Sequence, residues 1–92
     1  MNTKAKGSRS EKKTIELLEA QGYYCCKAGA SLGLWDIIAI STVDIIVVQV
    51  KSNRWPERVE TQLLIDFRGP PNCKKQIWRW DDRVKLPKVR NL

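Results

Sequence analysis

The sequence predicts a single α/β domain. Three observations carry that prediction. The chain has 92 residues, which make one domain over 1–92 with room for one modest core. An amphipathic helical pattern opens it, and three short strand patterns follow. The hydrophobic fraction of 42% is that of an ordinary globular protein, which argues against global disorder.

Taken in order, the first element is a helix over about 8–21. Ser8 and Glu11 have the spacing of a capping box, and Gly22 supplies a stop. Thr14, Ile15, Leu17, Leu18 and Ala20 lie between them. Glu11 shares a stripe with Ile15 and Leu18 at spacings of four and seven. It reads either as the capping partner of Ser8 or as a carboxylate turned inward for a purpose. "YYCCKA", 23–28, reads as a strand, and "GASLG", 29–33, as a loop.

"LWDIIAI", 34–40, and "DIIVVQVK", 44–51, read as a hairpin closed by a short turn. The second strand is apolar enough to be buried on both faces, yet it carries Gln49 and Lys51 near its end. If the hairpin is symmetric about residues 42 and 43, paired positions sum to 85. Asp36 then stands opposite Gln49, with Lys51 on the same face.

In the second half, Val59, Leu63 and Phe67 recur at four-residue spacing and predict a helix over about 57–67. "GPPN" breaks the chain, "KKQIWRW", 74–80, alternates like a strand, and Pro87 confines "RVKLPKV" to a sheet edge. Trp55, Phe67, Trp78 and Trp80 are expected in the core first and as base-stacking surfaces second.

Net charge is +7 and unevenly spread. Residues 1–13 carry five basic side chains against Glu11, and residues 74–92 carry seven against Asp81 and Asp82. The middle is slightly acidic, with five basic and seven acidic residues. Basic ends neutralise phosphates and release counterions, which points to a polyanionic partner.

Three cysteines, two of them adjacent, and no histidine leave no zinc-type spacing and exclude histidine-based catalysis. Reduced thiols fit a cytoplasmic location. No apolar run is long enough to span a membrane, and the basic N-terminus lacks the apolar core of a signal peptide.

Glu11, Asp36, Gln49 and Lys51 are thus expected to converge. Two carboxylates and an amide oxygen suit a hard cation such as Mg²⁺, which takes oxygen ligands, water and substrate phosphate. A neighbouring lysine can position water or offset charge on a phosphate. Such a group is suited to hydrolysing phosphodiesters.

The order helix-Glu, strand-start Asp, strand ending in x-V-K resembles the PD-(D/E)XK nuclease superfamily. Residues 6–52 are similar in motif order and spacing to archaeal Holliday junction resolvase-like and other small restriction-endonuclease-like proteins. The resemblance covers about half of the chain. It implies a restriction-endonuclease-like core, a central mixed β-sheet flanked by helices, and Mg²⁺-dependent cleavage of DNA, with Mn²⁺ as a substitute metal. It also implies a homodimer working on branched or structured DNA.

By the same resemblance Asp36, Gln49 and Glu11 match the metal-site residues and Lys51 the catalytic lysine. Lys6, Arg9, Lys27 and Ser31 are expected to bind nucleic acid. The chain departs from the pattern twice: Trp35 replaces the usual proline and Gln49 the usual glutamate. A neutral ligand should weaken metal affinity, so Gln49→Glu is expected to tighten it. Two other readings are a non-catalytic nucleic-acid-binding module that keeps the nuclease fold, and a protein-interaction subunit with a basic surface.

Overall fold

Seven elements follow one another in the structure, a computed structural model that describes residues 3–28 and 34–92, with side chains from residue 9 onward. They are α1 (Thr3–Ala20), β1 (Tyr24–Lys27), β2 (Ile37–Ile40), β3 (Ile45–Ser52), α2 (Arg58–Asp66), β4 (Cys73–Trp80) and β5 (Lys88–Asn91). The five strands form one sheet in the order β1-β2-β3-β4-β5. Only β3 and β4 run parallel; every other neighbouring pair is antiparallel. A parallel pair needs a crossover, and α2 supplies it.

The hairpin register is the one that the arithmetic predicts. Ile37 pairs with Val48 and Ile40 with Ile45, so each pair sums to 85. Ser41 sets the turn: its hydroxyl accepts the Asp44 N–H at 3.0 Å, and its own N–H donates to the Asp44 carbonyl at 2.9 Å. Tyr23 donates its phenol to Asp44 at 3.0 Å, tying the start of β1 to this turn.

The apolar run of β3 divides between two cores. Ile46 and Val48 pack with Leu18 of α1, Ile37, Ala39, Trp78 and Trp80, with Val50 at the margin. Val47 packs with Leu64 of α2, Trp35 and Ile77, with Ile45 at the margin. A helix therefore covers each face, and this is why the strand shows no polar alternation until Gln49.

Helix α1 starts five residues earlier than predicted. Lys and Ala before Gly7 are good helix formers and carry the helix back to Thr3. Ser8 is therefore interior to the helix and not its N-cap, and its side chain lies outside the described residues. The stop is as predicted: Gly22 sits at φ +97°, the Gly22 N–H donates to the Glu19 carbonyl and the Tyr23 N–H to the Leu18 carbonyl. That is a Schellman ending.

Of the predicted stripe of α2, only Phe67 packs inward. Val59 is 75% exposed and Leu63 52%, whereas Leu64 is completely buried. The inward face is Glu60, Leu64 and Phe67. Spacing alone allowed either stripe; Leu64 decides it by filling the space over Val47 and Ile77. Trp78 and Trp80 are core residues, as first expected. Strand β5 begins just after Pro87, which keeps the proline out of the ladder. Among the described residues the cysteines are free, and no helix is long and apolar enough to cross a membrane.

Candidate active site

Strand alternation and the start of β2 build the site. Beyond Val47, the face of β3 under α2 continues as Gln49 and then Lys51. Strand β2 begins at Ile37, so Asp36 lies just outside the ladder. Its N–H donates to the Val48 carbonyl and its Oδ2 accepts the Val50 N–H, both at 2.8 Å. Asp36 thus brackets Gln49 from both sides: a side-chain oxygen takes over where the neighbouring strand has run out of carbonyls.

The electrostatics bind these groups together. Burial pushes the Asp36 carboxyl above the usual range, the Val50 N–H and Lys51 oppose this, and Glu60 reinforces it. Burial also raises Glu11, whose next contributor is the negative charge of Asp36, with Lys27 opposing. Glu11 on α1, Asp36 before β2 and Lys27 at the end of β1 therefore share one neighbourhood.

Two polar contacts hold α1 over the strand tips. Ser10 and Ser52 place their hydroxyls 3.2 Å apart. Thr14 accepts the Trp80 indole N–H at 2.8 Å and donates to the Ser10 carbonyl at 2.8 Å. Ser10 and Thr14, both buried, flank half-buried Glu11 along the helix.

Glu60 is a site residue that the sequence reading missed. Its Oε1 accepts from Gln49 Nε2 at 2.7 Å and pairs with Lys51 Nζ at 2.8 Å. The usable signal was an acid in the first turn of the helix that must cross back over β3. A second missed group lies beside it. Arg79 is the register neighbour of Lys51 on β4, and the Arg79 and Arg90 guanidinium groups stand 5.6 and 4.1 Å from the Trp55 ring centroid.

The remaining predicted residues fall in different places. Arg9 is exposed on α1 and Lys27 is exposed at the end of β1. The Lys6 side chain and all of Ser31 lie outside the described residues.

The donor set suits a hard cation: two carboxylates, of which the Asp36 charge raises the proton affinity of Glu11, and an amide oxygen. That number of carboxylates is what Mg²⁺ takes when phosphate and water complete its shell. Among the described residues no three His, Cys, Asp or Glu side chains group closely enough to hold a metal by themselves.

No family model matches the sequence, and no curated protein does. Among solved structures, the chain is similar to the Holliday junction resolvase of the archaeal hyperthermophile Archaeoglobus fulgidus. The TM-score is 0.69, over 95% of this chain and 71% of that one, at 18% identity. At that identity the likeness is one of fold. This chain has the fold of an archaeal Holliday junction resolvase, the mixed sheet between helices that its motif order implied.

Proposed function

We propose that the protein is a Mg²⁺-dependent endodeoxyribonuclease that hydrolyses phosphodiester bonds in branched or structured DNA. The observation that carries this reading is the gathering of Asp36, Gln49 and Lys51 at the tip of β3, with Glu11 within electrostatic reach. The basic chain ends and the resolvase fold support it.

In this reading Asp36, Glu11 and the Gln49 amide oxygen hold the cation. When bound, it lowers the pKa of water and neutralises phosphate charge. Asp36 is locked by the Val50 N–H, so its free oxygen keeps a fixed direction. Lys51 presents its ammonium to the phosphate and offsets the charge that grows there. Arg9, Lys27, Lys6 and Ser31 hold the DNA backbone. The chain covers little DNA alone, so two copies related by a two-fold axis act together.

A second reading, a non-catalytic DNA-binding module, draws on two observations: Gln49 is neutral, and Lys51 is paired with Glu60. Calorimetric titration with Mn²⁺ and plasmid nicking separate the two. The nuclease binds Mn²⁺ in a way that Asp36→Ala abolishes, and it nicks plasmid only with metal. Salt-sensitive DNA binding without metal binding or nicking supports the module instead.

A further inference from the structure

Gln49 is the chain's departure from the nuclease pattern at the metal site, and its surroundings give a physical reason for it. A single carboxylate oxygen of Glu60 accepts the Gln49 amide N–H at 2.7 Å and meets the Lys51 ammonium at 2.8 Å. Only the NH₂ end of an amide can face a carboxylate. The Gln49 carbonyl oxygen is therefore turned away from Glu60 and is free to accept elsewhere. A glutamate at 49 would set two carboxylates at the distance where a hydrogen bond now stands, and like charges so close disfavour each other.

Glu60 itself is well fixed. It lies one turn before Leu64, whose side chain is completely buried and pins α2 to the sheet. The carboxylate is thus carried by a rigid element rather than a loop.

We propose that Glu60 is the positioning residue of the β3 tip, and that Gln49 and Glu60 form one unit with the acid on α2 and the amide on β3. Glu60 orients the Gln49 amide and holds Lys51 in place. Its effect on turnover rests on the nuclease reading; the pairing itself does not. Glutamine at 49 is then half of a matched pair, and restoring glutamate there without changing Glu60 breaks that pair even where the added charge tightens metal binding.

The test compares the native protein with Glu60→Gln, Gln49→Glu and the exchanged double variant, all nearly isosteric. Thermal unfolding is followed in chelator, so metal plays no part. Glu60→Gln lowers the midpoint by about 3 °C in the native protein. Gln49→Glu lowers it further. Adding Glu60→Gln to Gln49→Glu raises it again, because the amide and the acid have changed places. If Glu60→Gln acts in the same direction in both backgrounds, the pairing is wrong.

Two further measurements separate positioning from structural support. The side-chain NH₂ resonances of Gln49 move to free-amide positions in Glu60→Ala; an unchanged spectrum overturns the proposal. On four-way DNA, Glu60→Gln lowers kcat by about tenfold with KM within about twofold, and Glu60→Asp recovers part of the loss. If the native protein cleaves and Glu60→Gln keeps its kcat, the positioning role fails while the nuclease reading stands. If the native protein cleaves nothing, the nuclease reading fails, and unfolding and resonance shifts still judge the pair.

Discussion

Replacing Thr14 by valine keeps the side chain's shape and removes one hydroxyl. That hydroxyl accepts the Trp80 indole N–H at 2.8 Å and donates to the Ser10 carbonyl at 2.8 Å, in a fully buried position. The Ser10 carbonyl faces the helix ladder and keeps a main-chain partner there, so its loss is small. The Trp80 N–H is left without an acceptor. A buried donor stranded in this way costs about 2 kcal/mol. For a domain of this size that lowers Tm by roughly 10 °C.

Thr14→Ser is the control. It keeps the hydroxyl and deletes one methyl, which costs about 1 kcal/mol. Valine must therefore be the worse of the two. Urea and thermal unfolding, read by tryptophan fluorescence and circular dichroism, measure the order. The seam also carries Glu11, so Thr14→Val should speed hydrogen exchange across the middle of α1. Valine within about 0.5 kcal/mol of the native protein, or serine the more damaging, would show that the Thr14 hydroxyl does not satisfy the Trp80 N–H.

Other outcomes follow from the same structure. Because burial raises the Asp36 pKa in the folded protein, the folded state holds that proton more tightly, and stability falls as pH rises from the ordinary carboxylate range through the raised value. Asp36→Asn should flatten that fall and stabilise the protein at neutral pH while abolishing Mn²⁺ binding; urea midpoints across acid and neutral pH check it. Asp44 works the other way. Ser41 and Lys74 hold its carboxyl below the usual range, so its contribution is present above the ordinary carboxylate pKa and is lost as pH falls, and Asp44→Asn should remove that acid loss. Leu64→Ala should cost about 3 kcal/mol and loosen Glu60 one turn away, seen as faster exchange in α2. Arg9→Ala and Lys27→Ala should each reduce the salt slope of DNA binding by about one; an unchanged slope would remove that residue from the phosphate contacts.

The placement of Asp36, Gln49 and Lys51 at one strand tip was legible because it depends on strand alternation and hairpin arithmetic. The sum of 85 fixed which side chains of β2 and β3 share a face, and the structure keeps that register. The fold class was legible from the order of patterns and from the motif resemblance. What was not legible depended on tertiary choice. Val59, Leu63 and Glu60, Leu64 offered two stripes on one helix, and only packing over Val47 and Ile77 selects between them. Glu60 was missed for that reason, since a helix turned the other way would put it in solvent. The predicted helix start at Ser8 fell too late because local signals cannot forbid a helix from beginning earlier.

The proposed activity is cleavage of DNA at the tip of β3. Its most direct measurement is cleavage of a four-way junction, beside nicked and linear DNA, by the native protein and by Lys51→Ala. The expected result is Mg²⁺- or Mn²⁺-dependent cleavage that favours the junction and disappears in Lys51→Ala, while junction binding survives. No cleavage with either metal, or cleavage that Lys51→Ala leaves unchanged, would contradict it.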